Sequence, residues 1–321
     1  MRIIKIIIVL FLFISCKDQV INKNIDVYRF DEYLRSLDSD LIKDEVFNKK
    51  TSTGDFYLFY FKNMVGLDMF DMHDNDLDSF FSYSFFLDLN MEIHNLFNDF
   101  SSFDEDLDDA FGRFLYYFPD KKTPKLFITV NGMNSYSMIT YGDTMICGLD
   151  MYLGKESKIY DYHHEYLRSR FQQRFLVIDA LENWCNFQFN QYNNSQNFLD
   201  QLIFKGKITY VLTKLFPYRS LEDILRFDDD QMSWCETYEK NIWEETLKLD
   251  YLYSINQADY RDFFFDAPFV RGMPKESTGR LGYWIGYRII SSYIEESNSN
   301  LIDLIKNQDS QIILLQSKYK P

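Results

Sequence analysis

The sequence is poor in the residue types that most often carry catalytic chemistry. Its 321 residues include four histidines and four cysteines, and no two cysteines stand in a C-x-x-C pair. A zinc knuckle and a thioredoxin-like redox motif are thereby excluded. The sequence also contains neither a Gly-x-Ser-x-Gly motif nor a glycine-rich phosphate loop. From these absences we predict no catalytic residue, no cofactor and no bound metal.

Basic residues are also scarce, since 34 Lys and Arg stand against 49 Asp and Glu, for a formal net charge of −15. A chain this acidic is repelled by phosphate backbones, so nucleic acid is excluded as a partner. Residues 63–112 contain thirteen acids and no Lys or Arg, and positions 74–78 resemble the start of a calcium loop that lacks its Gly and Glu. This segment is interpreted as a solvated acidic face; the alternative is a docking surface for a basic partner or a divalent cation.

The N-terminus has the pattern of a lipoprotein signal. Arg2 and Lys5 precede an apolar run over residues 6–14, which is too short to span a bilayer, and Ser15 and Cys16 follow it. We predict that residues 1–15 are a signal peptide and that Cys16 becomes the lipidated N-terminus, carrying acyl chains such as palmitate. The alternative is an uncleaved membrane anchor with a chance cysteine.

The rest of the chain is predicted to form a tether over residues 16–26 and a single globular domain over 27–321. The protein is expected in the cell envelope, anchored to a membrane by its lipid, with the leaflet and face left open. Cys147, Cys185 and Cys235 remain after Cys16, and this odd number favours buried, unpaired thiols.

Apolar periodicity predicts an α+β fold that is mostly helical. The pattern up to about residue 120 is helical. Residues 125–150 are predicted to form three short strands, separated by turns at Asn131-Gly132 and Gly142-Asp143. We predict a small antiparallel sheet of about three strands. Further helices are predicted at about 162–189, 195–215, 228–251, 280–296 and 301–307, with a last turn at 310–317.

A sheet followed by a long helix is the arrangement of gluzincin-like zinc peptidases, which carry His-Glu-x-x-His on that helix. Here His163, His164 and Glu165 are followed by Arg168 where the second histidine should stand. Arginine does not ligate zinc, and adjacent histidines project in different directions from a helix. The sequence therefore predicts a surface histidine pair, with a peptidase-like frame lacking its metal as a structural hypothesis.

Gly282 and Gly286 lie one helical turn apart, where small residues allow another element to approach closely. The neighbouring Tyr283, Trp284 and Tyr287 are expected to pack in the core; the alternative is a binding groove lined by these three side chains.

Several short motifs follow one another from the predicted lipoprotein signal almost to the C-terminus. They are Tyr28-Arg29-Phe30-Asp31, Tyr141-Gly142-Asp143, residues 147–154, Tyr166-Leu167-Arg168 with Phe171, residues 204–207, Gln231, Trp234, Glu239, Trp243, residues 280–286, Ser292-Tyr293 and Ser317-Lys318-Tyr319. In order and spacing they resemble the GldB-type gliding motility lipoproteins of Bacteroidota. A second resemblance, through the Gly-Tyr-Trp-Ile-Gly-Tyr-Arg segment, is to predicted zinc peptidases.

The first resemblance implies a lipid-anchored component of the gliding motility machinery, whose partners are the membrane and other proteins of that machinery. It also implies a non-catalytic role, because members of that family have no established enzymatic activity. Two alternatives stay open: a periplasmic or surface hydrolase resembling a metallopeptidase, and a lipoprotein that binds carbohydrate or peptide.

Overall fold

A computed structural model of the protein describes residues 25–36, 56, 59–66, 79, 82–133 and 137–321. The predicted signal peptide, Cys16, most of the predicted tether and the calcium-loop-like positions 74–78 lie outside the described residues. The predicted α+β class is confirmed, since the described chain is mostly helical with one small sheet.

The sheet has four strands in the order β1-β2-β4-β3. They are β1 (Asp26–Arg29), β2 (Lys125–Thr129), β3 (Met138–Tyr141) and β4 (Thr144–Gly148). β2 pairs in parallel with both β1 and β4, and only β3 and β4 pair antiparallel. The three predicted strands and the antiparallel pair β3–β4 exist, but the sheet has a fourth strand, β1, and the prediction that β2 pairs antiparallel was wrong.

The physical reason lies in β4. Met145, Ile146 and Cys147 are all buried, which is typical of an internal strand that is covered on both faces. β3 therefore takes the sheet edge, and β4 returns between it and β2. β1 was missed because its four residues, Asp-Val-Tyr-Arg, overlap the end of the predicted tether and offer too short a pattern.

Between β1 and β2 the described chain is helical. It contains α1 (Phe30–Ser36), a π-helical turn (Tyr60–Val65), α2 (Ser84–Phe97) and α3 (Ser101–Tyr117). α2 buries one side through residues at helical spacing, namely Phe86, Leu89, Ile93 and Phe97. These side chains join the core that α3 and the sheet also contribute to.

The next helices are α4 (Glu165–Arg168), α5 (Leu176–Phe189), α6 (Phe198–Leu215), α7 (Leu221–Leu225), α8 (Asp229–Thr237), α9 (Glu239–Lys248) and α10 (Gln257–Tyr260). Two predicted helices are each divided. The predicted helix 162–189 breaks at Gln172, whose backbone is extended before a 3-10 turn (Gln173–Phe175). The predicted helix 228–251 breaks at Tyr238.

The C-terminal helices are α11 (Leu281–Ser297), α12 (Leu301–Lys306) and α13 (Ser310–Ser317), which confirms their prediction. α11 packs along α6, and the backbones of Gly206 and Gly286 meet at the crossing. α5 lies between α6 and the sheet edge. Among the helices of the described ranges, none combines the length and apolarity that crossing a membrane requires.

Candidate functional site

A cavity of about 490 Å³ lies beside β3, α5 and the start of α11. This volume is within the range of small-molecule pockets. Its apolar wall consists of Met133, Met138, Met151, Leu167 and Phe171. Its polar wall consists of Ser137, Tyr152, His163, Arg170, Asp179, Glu182, Asn183, Asn186, Arg226, Asp266 and Arg280.

α5 contributes two acids to the cavity. Asp179 and Glu182 are three residues apart, so both project from the same face of the helix. The opposite face of α5 is anchored in the core by apolar residues such as Leu181 and Trp184, which fixes the direction of the two carboxylates.

Arg226 holds both acids. Its Nε donates to Asp179 Oδ1 at 2.8 Å, its Nη2 also contacts that oxygen, and the same Nη2 lies 2.7 Å from Glu182 Oε2. Its Nη1 donates to the carbonyl of Ile224 at 2.6 Å. The backbone of Arg226 is left-handed, with φ of 59°, which ends α7 and turns the side chain toward α5. Burial alone would lower the pKa of Arg226, but the charges of Asp179 and Glu182 raise it.

The charges fix the ionisation of the neighbouring groups. Burial by itself would raise the pKa of Glu182, but Arg226 and Arg280 lower it to about 2. Tyr152 donates its hydroxyl to Asp179 Oδ2 at 2.9 Å. Burial, and then the charge of Asp179, raise the pKa of Tyr152 well above its usual value, so its proton stays on this hydrogen bond.

Two further arginines line the cavity with far fewer contacts. Arg170 Nε lies 2.8 Å from Asp266 Oδ1, and Arg280 Nη2 lies 3.6 Å from Glu182 Oε2. Within the described residues, neither side chain donates a hydrogen bond of acceptable geometry. Burial lowers the pKa of Arg170 to about 10. The charge of Asp266 opposes this shift, and the charges of Arg280 and Arg226 add to it.

Arg280 is the N-cap of α11, with φ of 58°. Its guanidinium lies over the ring of Tyr283, 4.1 Å from the centroid, which is a cation–π contact. Burial alone would lower the pKa of Arg280, but its electrostatic interactions with Tyr283 and Glu182 raise it, so Arg280 stays charged.

A buried acid shapes the rim of the cavity. Asp150 accepts backbone hydrogen bonds from Asn131 at 2.9 Å and from Met133 at 2.7 Å, which orders the chain after β2. Burial raises the pKa of Asp150 to about 6, and these two hydrogen bonds oppose the rise. Gly148 is required beside it, because a Cβ there would overlap the side chain of Asn131.

The structure places the histidine pair away from the long helix. His164 caps the short α4 and His163 lines the cavity, so the two histidines and Glu165 are not on α5 as a peptidase-like frame requires. Among the described residues no three His, Cys, Asp or Glu side chains form a group that could hold a metal ion. The zinc-peptidase-like hypothesis has no support in this arrangement.

The predicted aromatic trio lies mainly in the core. Trp284 is 1% exposed and Tyr283 is 8% exposed, and Tyr287 is half-buried with its ring 6.3 Å from that of Tyr210. This burial favours the packing interpretation; binding by the trio stays a prediction. Of the three, Tyr283 touches the cavity wall, through its contact with Arg280.

The family model for gliding motility protein GldB matches residues 15–321, nearly the whole chain. The chain belongs to the GldB gliding motility family. This confirms the resemblance drawn from the ordered motifs, and it makes the protein a gliding motility lipoprotein of the cell envelope. No curated protein and no solved structure matches the chain.

Several residues of the cavity lie in motifs that carried the GldB resemblance, including Tyr152, Phe171 and Arg280. The acids of α5 and Arg226 were missed by sequence reasoning. Asp179 and Glu182 are two of many acids in the chain, and Arg226 is 47 residues from the first of them, so periodicity carries no signal that unites them. The sequence signal for them is weak: two acids share one face of a helix whose other faces are apolar.

Proposed function

We propose that this GldB-family protein is a non-catalytic component of the gliding machinery, anchored to a membrane through lipid on Cys16 and acting through contacts with other proteins of that machinery. The family match supports the motility role, and it begins at residue 15, immediately before Cys16. The Arg2 and Lys5 head, the short apolar run and Cys16 support lipid anchoring.

The observation that most supports a non-catalytic role is that Arg226 binds two of the three cavity acids, Asp179 and Glu182. A general base needs a carboxylate with an accessible lone pair and a pKa near the working pH. Glu182, with a pKa of about 2, is a weak base, and both Asp179 oxygens already accept hydrogen bonds, from Arg226 and Tyr152. The charges of Asp179 and Glu182 are neutralised by ion pairs that stabilise the fold, which favours a binding role over catalysis of bond cleavage.

An exposed apolar stripe supports the role in protein contacts. Tyr83, the N-cap of α2, and Leu87 and Met91, within it, are each more than half exposed and lie four residues apart, beside the buried face of that helix. Apolar residues grouped in this way mark protein interaction sites. Asp88 and Glu92 border the stripe on the side away from the buried face, so the fitting partner is a protein surface with an apolar centre and a basic edge.

A complementation experiment tests the proposal. A strain lacking the gene should lose colony spreading and single-cell gliding, and the intact gene should restore both. Cys16→Ala should fail to restore them at equal abundance, because it removes the lipid site. Lys17→Ala, at the adjacent position, is the matched control and should restore gliding. Full gliding with Cys16→Ala at native abundance would contradict the anchoring proposal, and normal gliding in the deleted strain would contradict the motility role.

A further inference from the structure

The cavity contains two kinds of arginine. Arg226 is bonded on every nitrogen to carboxylates or a carbonyl. Arg170 and Arg280 line the same cavity, with side chains 11% and 12% exposed, yet in the described part of the chain their guanidinium groups donate no hydrogen bond of good geometry. A buried guanidinium left without acceptors is costly, so this pair marks a place where an acceptor is missing.

The surroundings of these two groups offset that cost only in part. Asp266 Oδ1 lies 2.8 Å from Arg170 Nε but outside hydrogen-bond geometry, and Glu182 is 3.6 Å from Arg280 and is shared with Arg226. The ring of Tyr283 stabilises the charge of Arg280 but accepts none of its N–H groups in the ordinary way.

We infer that Arg170 and Arg280 bind the carboxylate of a small organic ligand, whose remaining part lies in the cavity. Guanidinium groups recognise planar carboxylates with paired N–H donors, and such charge-assisted hydrogen bonds are the strongest that side chains make. The inference concerns a ligand site and does not depend on the motility role proposed above.

The charges in the cavity favour a carboxylate over a phosphate. Three guanidinium groups and three carboxylates line it. A dianion with tetrahedral oxygens would bring a second negative charge close to these acids, whereas a carboxylate adds one charge and directs its two oxygens toward the arginines. The site therefore suits one planar, singly charged group.

The size and the apolar wall describe the rest of the ligand. A cavity of about 490 Å³ accommodates a molecule the size of a capped dipeptide. Met133, Met151, Leu167 and Phe171 offer contacts to an apolar side chain. Asn183 adds an amide whose Nδ2 makes only a long contact, 3.5 Å, to the carbonyl of Met138 and which can pair with a ligand amide.

The test uses the full-length protein in detergent and two matched probes, N-acetyl-leucyl-leucine as the free acid and as its C-terminal amide. Binding is measured by calorimetry and by the shift in melting temperature, with sodium sulfate as a third probe. We expect saturable binding of the acid and much weaker binding of the amide. Arg170→Lys and Arg280→Lys keep the positive charge but lose the planar fork, and each should weaken binding of the acid by about tenfold or more.

Arg288→Lys is the matched control, because Arg288 lies on the same helix as Arg280 but is exposed and pairs with Glu239. It should bind the acid as the unchanged protein does. Urea unfolding of all variants separates loss of the site from loss of the fold. Equal binding of acid and amide, binding of sulfate without the acid, unchanged affinity in both folded cavity variants, or no binding of the acid would each overturn the assignment.

Discussion

The Nε of Arg226 donates a hydrogen bond to Oδ1 of Asp179 at 2.8 Å, although 47 residues separate them in the chain. The contact joins the end of α7 to the start of α5 and closes one side of the cavity. Because Arg226 also contacts Glu182, one buried cation balances two acids. The integrity of the site therefore depends on this arginine more than on any other lining residue.

Arg226→Met should lower the free energy of unfolding by about 3 to 5 kcal/mol, because removing one member of a buried ion pair leaves its partners charged and unpaired. Arg271→Met is the control: Arg271 pairs with Asp262 at 2.9 Å on the surface, and its loss should cost less than about 1 kcal/mol. Urea unfolding followed by circular dichroism measures both. Equal costs would show that the buried network does not stabilise the fold.

The pKa of Glu182, held at about 2 in the folded protein against 4.5 unperturbed, gives a pH signature. The folded state binds fewer protons there than the unfolded state, so this stabilisation is complete above about pH 4.5 and is lost as the pH falls toward 2. Glu182→Gln should therefore be destabilised at pH 7, and its difference from the unchanged protein should shrink between pH 4.5 and 3.

Urea unfolding at pH 7, 4.5 and 3 checks this dependence. Glu156→Gln serves as a comparison, because Glu156 is exposed and makes only a 3.9 Å ion pair with Lys155. Its difference from the unchanged protein should be small at each pH. A Glu182→Gln difference that stays constant over the same range would refute the link between the ion pairs and acid stability.

The crossing of α6 and α11 predicts a third effect. A Cβ on Gly286 would overlap the carbonyl of Leu202 and crowd the backbone of Gly206, and neither backbone can move aside cheaply. Gly286→Ala should therefore destabilise the protein by about 1 to 3 kcal/mol, despite the higher helix propensity of alanine. Glu295→Ala, at an exposed position of the same helix, should have little effect. A Gly286→Ala protein as stable as this control would falsify the close approach.

Local patterns predicted this close approach and most of the helices, because apolar spacing and glycine placement act within a few turns. The small residues one turn apart at 282 and 286 predicted a close helix contact. They did not identify its partner, Gly206, which lies 80 residues from Gly286 in the chain. Strand pairing was predicted less well. The sequence after Asn131-Gly132 does not show whether β3 pairs with β2 as a hairpin or lies at the sheet edge with β4 between them. That choice depends on the burial of both faces of β4.

The cavity could not be predicted from local sequence patterns either, because it depends on contacts between segments that are far apart in the chain. Its arginines come from three separate segments, and Arg226 and Arg280 both have left-handed backbones that composition does not reveal. In a chain with 49 acids, the sequence does not show which carboxylates pair with these arginines. The lipid site proposed at Cys16 rests on the opposite kind of evidence, because a lipoprotein signal is one continuous stretch of sequence.

The exposed stripe on α2 gives the prediction that most directly joins the fold to motility. Leu87→Glu with Met91→Glu places two charges on this stripe and should reduce single-cell gliding severely while leaving the free energy of unfolding within about 1 kcal/mol, since both side chains are exposed. Leu315→Glu is the control, as Leu315 is also an exposed leucine but lies on α13. Cells with this control variant should glide normally.

Because all variants keep Cys16, a gliding defect confined to the stripe variant cannot arise from lost anchoring and would mean that this face of α2 contacts a partner. Normal gliding by the double variant at native abundance would remove the stripe from the proposed contacts and direct attention to other surfaces of the protein.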